Sequence, residues 1–207
     1  ALLAGLHTML HGVPVLLHAA LLLAAWVVMT GALHLDGLAD STDAWLGGLG
    51  DRERTLAIMK DPYAGPAAVV AVVLVLLLKF SALVALVQCG DSWALLWPLL
   101  LARSAMPLLF LTTPYVRPGG LGEALARHAP RRAMALILLA TLMGVLGVLG
   151  MRGVGLVLGC FAVFWLLRRM MIARLGGTTG DTAGALLELL ETAALILWVL
   201  MDTRACS

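Results

Sequence analysis

Seven of the 12 acidic residues in this 207-residue chain fall into two groups, and their spacing is that of a divalent-cation site. The first group is Asp36, Asp40, Asp43 and Asp61, within and after HLDGLADSTDAW. The second is Asp181, Glu188 and Glu191, around GDTAGALLELLETAALI. At about 100° per residue on a helix, Asp40 and Asp43 lie about 40° and about 20° from Asp36 in opposite senses, so the three share one narrow face. Asp181 and Glu188 lie about 20° apart, with Glu191 a further ~60° round. Like charges at this spacing repel, and the ends of membrane helices are a costly place to gather them. A divalent cation removes the conflict, and Mg²⁺ takes one or two carboxylates while leaving the rest of its shell to water and substrate phosphates. The expected metal set is therefore Asp36, Asp40, Asp43, Asp61, Asp181 and Glu188, bridging two helices. The plainer alternative is a solvated helix end on which acids collect. Glu188 and Glu191 resist that reading, because acids several residues into an apolar run imply function or a buried partner.

Phosphate chemistry is suggested by the neighbouring glycines. Gly176, Gly177, Gly180 and Gly184 alternate with Thr178, Thr179 and Thr182. Glycine lets backbone N–H groups approach an anion, and a helix starting near Asp181 adds its N-terminal dipole. The same glycines would also let membrane helices pack tightly. Thr179 and Gly180, with the cations Lys60, Arg103 and Arg174, are the expected phosphate-binding residues. Lys79 and Arg103 fall inside apolar stretches and are expected to face the interior. Each either pairs with Glu188 and Glu191 or binds phosphate. A planar guanidinium suits phosphate oxygens, which favours the second role for Arg103, whereas Lys79 reads at least as well as a structural partner. His34, two residues before Asp36, is a candidate base or supporting partner. His7, His11 and His18 read as packing residues. Cys89, Cys160 and Cys206 lie far apart with no CxxC or Cys/His pairing, which reads as apolar filling rather than a zinc site or disulfide framework.

The elements that must position these groups are membrane helices. The chain is 62% hydrophobic and 13% charged, which excludes an extracellular module, a disordered segment and a nucleic-acid binder. Apolar windows of spanning length lie at about 13–33, 66–88, 92–113, 133–151, 153–171 and 183–201. Ten of the 14 Lys and Arg lie in the 34–62, 114–132 and 168–180 connections, against two in the connections of opposite parity. The positive-inside rule makes the first set cytoplasmic. The expected fold is an all-α integral membrane protein, a polytopic bundle of about six transmembrane helices forming one domain over 1–207. Residues 1–11 read as the end of an earlier helix, with an N-terminal segment missing.

The strings GALHLDGLADSTDA, DRERTLAIMKDPYAG, ARS, PYVRPGGLG and LGGTTGDTAGALLELLE, in that order from about residue 12 to 192, resemble the cobalamin synthase family, the adenosylcobinamide-GDP ribazoletransferases. The resemblance implies a multi-pass protein of a prokaryotic cytoplasmic (inner) membrane, with its active site facing the cytoplasm. It implies Mg²⁺-dependent joining of adenosylcobinamide-GDP to α-ribazole or its 5′-phosphate, giving adenosylcobalamin or its phosphate and GMP. It also implies those two substrates and the lipid bilayer as partners, no nucleic acid, and room for other late-step corrinoid enzymes and for a second copy of the chain. By position, HLDGLAD falls on His34 to Asp40, MKD on Met59, Lys60 and Asp61, and GDT on Gly180, Asp181 and Thr182, with Asp43, Glu188 and Glu191 following their motifs. Asp36, His34 and Asp40 are then the candidates for catalysis, any of which, or a metal-bound water, accepts the hydroxyl proton. DPYAG and DAW depart from the family pattern, as does the lack of a basic, proline-containing N-terminal stretch. A CDP-alcohol phosphotransferase or aspartate-rich prenyltransferase would use similar carboxylates, but neither DxxDGxxAR nor DDxxD occurs. The non-enzymatic alternative is a divalent-cation transporter, whose acids would lie along an ion path.

Overall fold

A computed structural model describes residues 2–90, 95–120 and 122–201. Its helices are α1 (Leu2–Met9), α2 (Val15–Met29), α3 (Leu33–Gly47), α4 (Arg52–Ile58), α5 (Pro66–Cys89), α6 (Leu96–Thr112), α7 (Glu123–His128), α8 (Arg131–Leu175) and α9 (Gly180–Met201). Among the described residues there is no strand, only an isolated parallel bridge between Tyr115 and Thr178. The all-helical expectation holds.

The spans differ in detail from those read along the chain. Three helices, α5, α8 and α9, are long and apolar enough to cross a membrane, and α2 with α3 makes a fourth only as a pair bent by 84°. That measure stops short of about six. The bend falls at Gly31 and Ala32, both in the left-handed region (φ 62° and 55°), and it turns an apolar helix into the acidic α3. The helix α6 has 17 residues, shorter than the expected 92–113 window. In α8, whose 45 residues are twice a span, Gly150 has non-helical angles (φ 54°, ψ −129°). A Cβ on Gly153 would lie 2.7 Å from the Val145 carbonyl oxygen, whereas eight residues along a straight helix rise about 12 Å. The chain therefore turns sharply at Gly150, where the expected 133–151 and 153–171 windows meet.

The helix α9 is the centre on which α3, α5, α6 and α8 pack. Leu186, Leu187, Leu190, Ala194 and Leu195 on it are at most 1% exposed. By contrast α5 and α8 leave rows of large apolar side chains uncovered, among them Val70, Leu74, Leu77, Leu139 and Leu158. Such continuous apolar faces are what a bilayer covers. Basic residues tie the connections together: Arg52 donates to the Leu175 carbonyl at 2.8 Å, and Arg168 to the Thr113 hydroxyl at 3.0 Å. Cys160 is a buried filler, as expected, and Cys206 lies outside the described residues.

Candidate active site

Two glycines set the geometry of the acidic helices. A Cβ on Gly37 of α3 would lie 2.7 Å from the Asp181 carbonyl oxygen, and one on Gly184 of α9 would lie 3.3 Å from the His34 Cα. Backbones so close leave no room for side chains, and the α3–α9 crossing brings the Asp36 and Asp40 turn against the first turn of α9. Beside it opens a cavity of about 540 Å³, lined by His34, Asp36, Lys60, Tyr115, Arg117 and Asp181 among others. The two carboxylate helices meet beside this cavity.

Local chemistry builds the far wall. Thr179 caps α9 reciprocally: its hydroxyl accepts from the Thr182 N–H at 3.2 Å, and the Thr182 hydroxyl accepts from the Thr179 N–H at 2.9 Å. The α8–α9 connection then pairs with the 113–122 loop, Val116 N–H donating to Thr178 and Thr178 N–H to Pro114, both at 2.9 Å. Gly177 permits this contact, since a Cβ there would sit 2.2 Å from the Pro114 carbonyl oxygen. The pairing delivers Arg117 to Asp181, with which it forms a hydrogen-bonded ion pair. Gly120 and Gly122 pass over the Tyr115 ring, where Cβ atoms would lie 2.2 Å from its hydroxyl oxygen and 2.9 Å from its Cε2. The glycines of the 176–184 stretch thus divide their work: Gly177 and Gly184 serve packing, while Gly180 faces the cavity.

The expected site residues do not all converge. Asp36, Asp181, His34, Lys60 and Gly180 line the cavity, and Asp40 lies one turn beyond Asp36. Asp40 experiences Asp36, Asp181 and Asp43 as like charges and Arg117 as the opposing one. The other acids have prior engagements. Asp43 accepts the Gly65 N–H at 2.5 Å and the Ala68 N–H at 3.0 Å, so both oxygens cap α5, and it does not line the cavity. Asp61 is exposed and accepts the Tyr63 N–H at 3.1 Å, closing a local turn. Glu188 is 2% exposed and accepts from Lys79 at 2.5 Å, and Glu191 from the same ammonium at 2.8 Å. The intramembrane acids therefore have the buried partner, and Lys79 takes the structural role. Its Nζ also lies 5.0 Å from the Trp26 ring centre.

The cations and hydroxyls expected at phosphate separate likewise. Arg174 sits over the Trp45 ring at 5.5 Å and donates to the Trp45 carbonyl and Thr55 hydroxyl at 3.4 Å, bracing α3 and α4 against α8. The Thr179 side chain is fully buried in its cap. Arg103 reaches to 3.9 Å from the fully buried Glu191 carboxylate with half its side chain exposed and does not line the cavity, so it takes the ion-pair alternative rather than the phosphate one.

Among the described residues no three His, Cys, Asp or Glu side chains are gathered as a ready-made metal cage. Asp36, Asp40 and Asp181 instead form an open acidic mouth opposed by one guanidinium. That suits a hard cation which completes its shell with water and phosphate. Tyr115 and Arg117 are the wall residues that reading along the chain missed. They lie in PYVRPGGLG, a turn-forming loop without periodicity, and nothing in it points to a carboxylate 64 positions away.

The match to known proteins decides the family. Residues 1–199 match the family model described as cobalamin-5-phosphate synthase. The chain belongs to this family. It is 59% identical over 201 residues to an adenosylcobinamide-GDP ribazoletransferase of Pseudomonas syringae pv. syringae, covering 97% of this chain and 82% of the relative. Against the protein of that name from Pseudomonas fluorescens, identity is 62% over 195 residues, 94% of this chain and 80% of the relative. No solved structure matches. The strings HLDGLAD and GGTTGDTAGA, which carry the family resemblance, are those that meet at the Gly37–Asp181 crossing.

Proposed function

We propose that this chain is a membrane enzyme of cobalamin biosynthesis that joins adenosylcobinamide-GDP to α-ribazole or its 5′-phosphate and releases GMP. Family membership and relatives near 60% identity that carry the ribazoletransferase name support the reaction. The observation that carries the residue assignment is the convergence of Asp36, Asp181 and Lys60 on one cavity.

Asp36, Asp40 and Asp181 would hold Mg²⁺. A bound Mg²⁺ supplies Lewis-acid polarisation of phosphoryl oxygens and neutralises charge on the diphosphate. Lys60, on the cavity wall, attracts the diphosphate as a point charge. The reaction is a displacement at the phosphorus attached to cobinamide: a ribazole hydroxyl forms the new P–O bond, and the bond to GMP breaks with its electrons leaving on GMP. The hydroxyl loses a proton in this step. His34 faces the cavity and its Nδ1 is buried without a hydrogen-bond partner, which favours it as the acceptor. The backbone crossing at Gly37 holds both acidic turns in place, and such positioning and electrostatics dominate phosphoryl transfer.

The placement of ten of the 14 basic residues in alternate connections supports a cytoplasmic mouth in a prokaryotic inner membrane. The transporter reading is disfavoured, because Glu188 and Glu191, the acids deepest in an apolar helix, are both taken by Lys79. Asp36→Asn and Asp181→Asn test the assignment: each is expected to abolish turnover while the protein inserts and purifies normally. Near wild-type rates at saturating Mg²⁺ for either would remove the metal assignment.

A further inference from the structure

The 113–122 loop carries two side chains for which this mechanism has no role. Arg117 pairs with Asp181, and Tyr115 presents a buried hydroxyl with no hydrogen-bond partner at the wall of the same cavity.

The Arg117 pair differs in kind from the one at Lys79. Lys79 is 2% exposed and held between two carboxylates at 2.5 and 2.8 Å, so its ammonium has nowhere to go. The Arg117 side chain is 25% exposed, meets one carboxylate, and borders open space. A guanidinium has five N–H donors in a fixed fork, and a single carboxylate leaves several of them for another acceptor. The backbone beneath it is anchored, because the preceding residue, Val116, donates to Thr178 at 2.9 Å. Rotation of the side chain alone therefore carries the charge from Asp181 into the cavity.

Charge balance gives a reason for it to move. In the absence of a cation, Asp36, Asp40 and Asp181 repel one another, and Arg117 is the counter-charge acting on Asp40 and Asp181. A divalent cation at the same acids takes over that role, and a diphosphate arriving with it brings new negative charge to the cavity. We propose that Arg117 is an exchangeable counter-ion, which neutralises Asp181 in the ligand-free protein and transfers to the substrate's diphosphate when Asp181 takes up the divalent cation, with the Tyr115 hydroxyl hydrogen-bonding the same ligand. This rests on the metal and phosphate reading of the cavity. It makes Arg117 a competitor of the metal before substrate binds and a binding residue afterwards.

The test uses the whole protein in detergent, with Mn²⁺ binding followed by electron paramagnetic resonance without nucleotide, and adenosylcobinamide-GDP binding followed by calorimetry with Mg²⁺. Arg117→Ala is expected to bind Mn²⁺ about five-fold tighter, because a partly exposed competing ion pair is gone. The same variant is expected to bind adenosylcobinamide-GDP about ten- to hundred-fold more weakly, through loss of a charge-assisted hydrogen bond. Unchanged or weaker Mn²⁺ binding, or unchanged nucleotide binding, would overturn the exchange. Arg117→Lys covers the case in which the alanine variant does not fold: retained charge without the fork should leave Mn²⁺ affinity near wild type and weaken the nucleotide. Full nucleotide affinity in that variant would overturn the exchange too. Tyr115→Phe should weaken the nucleotide about ten-fold and leave Mn²⁺ untouched, and unchanged nucleotide affinity would remove the tyrosine from the site. Asp36→Asn and Asp181→Asn separate the two levels: Mn²⁺ affinity unaltered in both would sink the metal reading itself, whatever Arg117 does.

Discussion

Gly37 and Asp181 meet backbone to backbone, so closely that a Cβ on Gly37 would lie 2.7 Å from the Asp181 carbonyl oxygen and 3.1 Å from its Cα. Both atoms belong to the main chain of α9, so neither can swing away. Gly37→Ala must therefore push α3 off α9 and separate Asp36 and Asp40 from Asp181. Misplacement of reacting groups by about 1 Å can cost ~100-fold in rate, and a loss of that order is expected with helix content retained. Gly144→Ala in α8, where a Cβ meets nothing within 4 Å, is the matched control and should keep wild-type turnover. Equal rates for the two variants, measured beside circular dichroism, would show that the crossing does not position the site.

Asp43 shares the face of Asp36 and Asp40 yet spends both oxygens on the N-terminus of α5, through the Gly65 and Ala68 N–H groups. Asp43→Asn should retain one acceptor and cost little, whereas Asp43→Ala should cost about 1 kcal/mol of stability, as for loss of an N-cap. Divalent-cation affinity should be unchanged in both. A drop in Mn²⁺ affinity comparable with that of Asp36→Asn would return Asp43 to the ligand set.

Arg174 braces Trp45 and Thr55 rather than meeting a phosphate. Arg174→Ala is expected to lower thermal stability by about 1 kcal/mol, through lost cation–π and hydrogen-bond contacts, and to leave KM for adenosylcobinamide-GDP unchanged. A raised KM at unchanged melting temperature would reverse that assignment.

What could be read along the chain was whatever a helical period or the length of an apolar run controls. The shared face of Asp36 and Asp40 follows from a 3.6-residue repeat, and the membrane character of α5, α8 and α9 from the length of their apolar runs. Three kinds of feature escape such a period. Asp43 looks like a ligand because its capping role depends on where α5 begins, which is a tertiary fact. The 84° bend after α2 depends on two left-handed residues inside an otherwise continuous apolar stretch. Tyr115 and Arg117 sit in a loop whose partner segment, around Thr178, is brought to it by the packing of α6, α8 and α9. The choice for Lys79 between ion pair and phosphate was open in composition alone. Distance settles it, at 2.5 Å from Glu188 and 2.8 Å from Glu191.

That pair gives the most discriminating stability experiment. Lys79, Glu188 and Glu191 are each at most 2% exposed, so Lys79→Met leaves two buried carboxylates facing each other without their shared cation. Removing one partner of a buried ion pair typically costs about 3–5 kcal/mol, and a loss of this order in thermal unfolding in detergent is expected. Replacing the whole set by neutral groups of similar shape is often neutral, since the desolvation of three charges disappears together. Lys79→Met combined with Glu188→Gln and Glu191→Gln should therefore recover most of the lost stability. None of the three lines the cavity, although Glu188 and Lys79 act electrostatically on His34, so the triple variant should also recover turnover along with its fold. Recovered stability without turnover would instead make Lys79 or its two acids part of the reaction, and the ion pair would no longer be only a strut.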